Sequence, residues 1–242
     1  MITAAALCPS PPLLHPALTG RDAVLPELRA ACAQAVSWLL RDDPGEIVVV
    51  GPAAATGEWD AASRLDPGAF APAPGRGDGR FGSLPLALGL GAMLLDQAGF
   101  GGRRRLLAVG RDEPASACAA LGASLGPAAA RGPAAGVASG RTVLLVMGDG
   151  SARRSLKAPG YLDPRAEAFD AEVARAIRAG DLGALLRLDQ ALARELMATG
   201  RPAWQVLAGA MPSLTPVTEV LYCGDPFGVA YLVACLRSAD PR

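Results

Sequence analysis

Histidine is almost missing from this chain: among 242 residues there is one, His15. Catalytic metal sites usually draw on two or three imidazoles, and proton transfer near neutral pH leans on histidine more than on any other side chain. Much of that repertoire is therefore closed. Net charge is missing too, with 23 basic residues against 23 acidic ones, which removes the electrostatic footprint of a duplex nucleic-acid binder. No stretch approaches the roughly 20 uninterrupted apolar residues of a membrane span, and the N-terminus lacks the basic start of a signal peptide. No membrane association and a cytoplasmic location are expected. The five cysteines, Cys8, Cys32, Cys118, Cys223 and Cys235, are odd in number and include no CxxC pair. That pattern argues against a disulfide framework and against a closed zinc site.

What is present is apolar and frequently interrupted. Hydrophobic residues make up 51%, which argues against a disordered polymer, while 29 glycines and 21 prolines require many loops. The length suits one α/β domain, and residues 1–242 read as one. Residues 2–7 form a short strand that enters a proline-rich loop carrying His15. Val24, Leu25, Leu28, Ala31, Cys32, Ala35, Trp38 and Leu39 recur at helical spacing within 22–40. A continuous β-branched run at 46–51 predicts a strand buried on both faces.

Residues 53–81 show no sustained period and read as a surface excursion with edge strands. Helices are predicted at 84–98 and 114–125, strands at 105–109 and 142–147, and a linker-like stretch at 126–140. Asp163-Pro164 is a helix start, since Asp caps free amides and Pro suits the first helical position. That helix runs to Ala179 and is followed by others at 182–188, 190–198 and 204–210. Two β-like runs, 217–223 and 228–235, form a hairpin around Gly224-Asp225-Pro226-Phe227. The alternation predicts an α/β fold: a central mixed, largely parallel β-sheet with helices on both faces and a C-terminal β-hairpin.

In such a sheet the loops after the strands converge on a ligand crevice. Four strand ends carry polar or unusual residues: Cys8 through Ser10 to His15, Gly51-Pro52-Ala53, Gly148 to Arg153, and Tyr222 to Asp225. His15 could serve as a metal ligand, a general base or a hydrogen-bond donor to substrate, or only cap its loop. Cys8 or Cys223 beside it would suggest a thiolate nucleophile, although buried cysteine is more often inert. Asp149 could bind a cation, position a water or cap a turn, and GDGS suits any tight turn. Arg153, Arg154 and Lys157 could meet an anion or form a solvated basic turn; Arg103, Arg104 and Arg105 are a second basic run. Glu219 sits inside an apolar strand pattern, so it faces solvent or has a partner. The candidate catalytic residues are His15, Asp149 and Cys223. The candidate ligand-binding residues are Cys8, Ser10, His15, Ser151, Arg153, Glu219 and Tyr222.

The segments CPSPPLLHP, IVVVGP, VLLVMGDGSARRS, YLDPRAEAFDAEVARAI and EVLYCGDPFGVAYLVA, in this order, span nearly the whole chain. Together they resemble the catalytic B-subunit domain of class III extradiol ring-cleaving dioxygenases and its Memo-like relatives. The resemblance implies iron(II) held by two loop histidines and a carboxylate, with a further histidine in a Gly-Asp-x-Ser-His segment as acid/base. His15 matches the first position. Ala53 or a neighbour stands at the second, Ala152 stands where the base would be, and Glu219 is a loose match for the carboxylate. A facial triad of two imidazoles and a carboxylate suits iron, and loss of an acid/base group costs about 10²- to 10⁴-fold. The resemblance thus implies the fold without the ring-cleavage reaction and without a cofactor. In the Memo-like relatives a pocket cysteine accompanies histidine, and Cys223 lies broadly at that place.

Three readings follow. The first is a pseudoenzyme whose pocket binds a small molecule or a protein partner. The second is an enzyme of different chemistry in the same crevice, using His15 with Asp149, Ser151, Glu219 or Cys223. The third is self-association as a homodimer through the apolar residues 228–236. An active dioxygenase with unusual ligands would need iron(II) at His15 and Glu219.

Overall fold

The β-branched run becomes the centre of a seven-stranded sheet. In the computed structural model, which describes residues 2–19, 24–66, 84–126, 141–211 and 215–239, it forms strand β2, Glu46–Ala53, buried at every position. Three further strands run parallel with it: β1 (Ala4–Cys8), β4 (Arg103–Gly110) and β5 (Thr142–Met147). The register sets Val50 opposite both Leu107 and Val146, and Leu7 opposite Val146. Continuous Val and Leu runs are what strands covered on both faces require.

The flanks are antiparallel. Strand β3 (Gly57–Trp59) pairs with β4, β7 (Tyr231–Arg237) pairs with β1, and β6 (Val217–Gly224) pairs with β7. The order is β3-β4-β2-β5-β1-β7-β6. The chain therefore has the α/β architecture expected, with a largely parallel centre and a C-terminal hairpin.

The helices are α1 (Pro16–Thr19), α2 (Pro26–Leu40), α3 (Leu86–Gln97), α4 (Ala115–Ala123), α5 (Ala166–Ala179), α6 (Leu182–Leu186), α7 (Gln190–Glu195) and α8 (Arg201–Ala210). Alternation along the strands divides the core in two. Val48, Val50, Leu144 and Val146 join α5, α6 and α8 on one face, while Ile47, Val49, Leu145 and Met147 join α2 and α3 on the other.

Several expectations need correction. The proline-rich loop after β1 contains a 3-10 turn, Pro12–Leu14, and then α1, because proline's fixed φ suits a first helical position. Asp163 does not start α5. Its carboxylate accepts from the Arg165 amide at 2.9 Å and closes a turn, and the helix begins at Ala166. The hairpin connection is longer than four residues and includes a 3-10 turn, Pro226–Gly228, and β6 bulges between Val220 and Tyr222. Residues 228–236 offer no sheet edge: β7 lies between β1 and β6, with Val233 to Leu236 buried, so the edges are β3 and β6. Most of the two Gly- and Pro-rich stretches, 67–83 and 127–140, lies outside the described residues. No described helix is long and apolar enough to cross a membrane.

Helices α4 and α8 meet backbone to backbone through reciprocal glycines. A Cβ on Gly122 would lie 2.1 Å from the Val206 carbonyl oxygen, and one on Gly209 would lie 2.2 Å from that of Ala119. Gly122→Ala should therefore destabilise the protein by about 1–3 kcal/mol through overpacking, despite gaining about 1 kcal/mol in helix propensity. Gly101→Ala, where nothing lies within 4 Å, should change stability by less than about 0.5 kcal/mol. Urea unfolding of the two variants checks the contrast.

Candidate functional site

Parallel pairing brings the C-terminal ends of β1, β2, β4 and β5 to one edge, and a cavity of about 560 Å³ opens there. Ser10 and Pro12 line it from the loop after β1, Pro52 to Ala55 from β2, Arg111 from β4 and Asp149 from β5, with Trp59, Pro85 and Thr199 completing the wall. The crevice is mostly apolar with few polar groups, the usual composition of a small-molecule site.

Asp149 is fixed from two sides. Its carboxylate accepts from the Ser10 amide at 2.6 Å and from the Ser10 hydroxyl at 3.4 Å, which ties the β5 loop to the β1 loop. Its carbonyl accepts from the Gly200 amide at 2.8 Å. A Cβ on Gly148 would lie 2.5 Å from the Gly200 Cα, so only glycine lets the turn before α8 approach and set Thr199 at the rim. Burial pushes the Asp149 carboxyl up to about 6, against the two Ser10 hydrogen bonds that pull it down. Such a group exchanges protons close to neutral pH.

His15 stands elsewhere. Arg29 of α2 donates to the carbonyls of Leu14, at 2.7 Å, and of Leu13, and thereby draws the end of the loop toward α2. His15 lines a separate cavity of about 370 Å³ with Arg64, Met93 and Asp96, and its Nδ1 accepts from the Ala17 amide at 3.2 Å. Cys223 lines a third cavity, of about 340 Å³, with Arg154, Asp170 and Asp225. The three candidate catalytic residues thus line three different cavities.

The ligand-binding candidates separate in the same way. Ser10 faces the crevice. Cys8 is buried on the α2 face, where the Cys32 thiol beside it, burial and Cys235 raise its pKa. Ser151 is fully buried and gives both its amide and its hydroxyl to Asp170. Burial raises the Asp170 carboxyl, opposed by Ser151 and Arg154. Arg153 packs its stem beside Gly160 and Met197, outside the crevice. Glu219 is exposed on the edge strand β6, which answers the question its apolar neighbours raised. Tyr222 is half-buried on the same strand, packed against the α2 side of the core. Arg103, Arg104 and Arg105 pair with Glu46, Asp96 and Glu58 at 3.1, 2.7 and 2.7 Å, so that run is a set of ion pairs.

The iron that the resemblance implies does not fit. A facial triad needs two imidazoles and a carboxylate within one coordination sphere. His15 lines a cavity apart from the crevice, Glu219 is exposed on the edge strand β6, the second-position residue Ala53 has no donor side chain, and Ala152 is buried in a packed turn. Among the described residues no group of three His, Cys, Asp or Glu side chains could hold a metal ion.

Two residues escaped the sequence reading. Arg111 follows the end of β4, a strand end not counted among the polar ones. Arg201, at the start of α8, is 1% exposed and donates to the carbonyls of Arg111 and Glu113 and to Gln205. The strand-end rule applied to Gly110-Arg111 would have found the first. Nothing in the pattern around Arg201 signals its burial.

The raised Asp149 carboxyl makes stability depend on pH. Its folded state binds the proton more tightly than the unfolded chain does, so this contribution is fully present below about pH 4 and is lost as pH rises through about 6. Relative to Asp149→Asn, the wild type should lose about 2 kcal/mol between pH 4 and pH 7. Denaturant unfolding of both proteins across that range checks this, and a constant difference between them would refute it.

No family model matches the chain, and no curated protein matches it. Among solved structures it is similar to the crystal structure of uncharacterized protein JW3007 from Escherichia coli K12, with a TM-score of 0.55 and 16% sequence identity. The likeness covers 98% of this chain and 100% of the other. It establishes a shared fold.

Proposed function

We propose that this chain is a small-molecule-binding protein built on a scaffold resembling the class III extradiol dioxygenases, and that it does not carry out iron-dependent ring cleavage. One observation carries the reading. The crevice at the ends of the parallel strands holds Ser10, Ala53 and Asp149, whereas His15 lies in another cavity and Glu219 on an outer edge. A ligand crevice survives where the donors for iron do not converge. Asp149 is the group in it suited to give or take a proton, so a metal-free acid/base reaction is the enzymatic form of the same reading. A reaction that joins His15, Asp149 and Cys223 in one site is disfavoured, because they line separate cavities.

Two measurements test the proposal. Purified protein reconstituted with ferrous iron should yield no ring-opened product from catechol and take up no oxygen. Ligand-observed NMR with a library of small apolar and acidic fragments should find binders that Ala54→Trp, which narrows the crevice, displaces by about ten-fold or more in affinity. Stoichiometric iron with ring-opened product overturns the first half of the proposal. Fragments that bind the variant as well as the wild type overturn the second.

A further inference from the structure

We infer that the crevice takes an organic carboxylate with a compact apolar body, and that Arg111 anchors its charge; this rests on the crevice being the ligand site. The argument starts from the backbone. The Arg111 amide donates to the Ala53 carbonyl at 3.1 Å, and its own carbonyl accepts from Arg201 at 2.7 Å. The backbone is pinned from both sides, and the residue, which is exposed, lines both the crevice and a smaller neighbouring cavity.

The guanidinium has no hydrogen-bond or ion-pair partner among the described residues. Its two acidic neighbours in sequence are engaged elsewhere: Asp112 lies 3.6 Å from Arg194, and Glu113 accepts from the Thr56 hydroxyl at 2.6 Å. The basic runs at 103–105 are consumed by Glu46, Asp96 and Glu58, so Arg111 differs from them in kind.

Beneath the same turn lies a second cation. Arg201 is buried, and its hydrogen bonds go to two carbonyls and an amide oxygen, none of which neutralises its charge. Asp112 is the acidic side chain that acts on it, and it lines the same smaller cavity, so two arginines and one carboxylate stand at this end of the crevice. One free guanidinium offers two parallel N–H donors, the geometry that suits a carboxylate. The rest of the wall is apolar at Pro12, Pro52, Ala54, Trp59 and Pro85, which suits a compact hydrocarbon body, with Ser10, Asp149 and Thr199 as its other polar side chains.

Matched probes test this. Benzoate and cyclohexanecarboxylate are titrated, each against its uncharged amide, into the wild type, Arg111→Gln and Ala54→Trp, with binding followed by NMR shifts and folding by circular dichroism. The wild type should prefer each acid over its amide by about ten-fold or more. Arg111→Gln should erase that preference and keep amide binding, and Ala54→Trp should weaken acid and amide alike. Equal binding of acid and amide by the wild type would refute the carboxylate class while leaving the crevice intact as a site. A preference that persists in a folded Arg111→Gln variant would refute the anchor. Absence of binding by every probe into the millimolar range would overturn this inference and the crevice reading together.

Discussion

Parallel pairing of β1, β5, β2 and β4 is the constraint from which the rest of the molecule follows. Strands that run the same way end on the same edge, so four loops must meet there whatever their sequences. Ser10, Ala53, Arg111 and Asp149 are neighbours because of it, although up to 139 residues separate the hydrogen-bonded pair Ser10 and Asp149. Strand β6 also points its C-terminal end toward this edge, since it is antiparallel to β7 and β7 to β1. Two strand spacings, about 10 Å, separate it from β1. That offset is why Cys223 and Asp225 open into a cavity with α5 and not into the crevice.

Three interior polar groups show how the fold treats charge. Asp170 takes two hydrogen bonds from Ser151 and lies 3.9 Å from Arg154, so its burial is largely compensated. Arg201 has its donors satisfied by carbonyls and an amide but keeps its charge, and burial lowers its pKa. Asp149 has only Ser10 against its burial, and its carboxyl is raised to about 6. The first group is structural, because its partners meet its needs. Asp149 lines the crevice and Arg201 the smaller cavity that shares Arg111 and Thr199 with it, and the cost of their burial is offset by the apolar core around them.

The periodic parts of the fold were legible in the sequence. Strands β2 and β5 are runs of Val and Leu that admit one reading, and the stripe from Leu28 to Leu39 fixes the buried face of α2. The site was legible only in part. Ser10 and Asp149 follow strands directly, so the strand-end rule places them. His15 lies seven residues past Cys8, far enough for a long-range contact to redirect the chain. That contact is Arg29, which belongs to a different element and gives no local signal at His15. Arg111 was passed over because Gly110-Arg111 has no motif around it. Its meaning comes from what its neighbours bind, and hydrogen-bond partners are not written in sequence.

The resemblance implies a metal-binding arrangement at the ends of the parallel strands. Were that arrangement merely missing two imidazoles, histidine at positions 53 and 152 would restore it. The geometry argues otherwise. Position 53 lines the crevice, but Ala152 does not: it is 8% exposed and its amide donates to the Leu196 carbonyl at 3.0 Å. His15, the chain's one imidazole, lines a cavity apart from the crevice, with Arg29 on the carbonyl of the preceding residue and the Ala17 amide donating to its Nδ1. Where the β1 loop meets the crevice, the polar side chain is Ser10, and its hydroxyl and amide are already committed to Asp149. The crevice is therefore lined by a carboxyl held by a serine and by the arginine that follows β4, and among the described residues no three donors gather there as an iron triad requires.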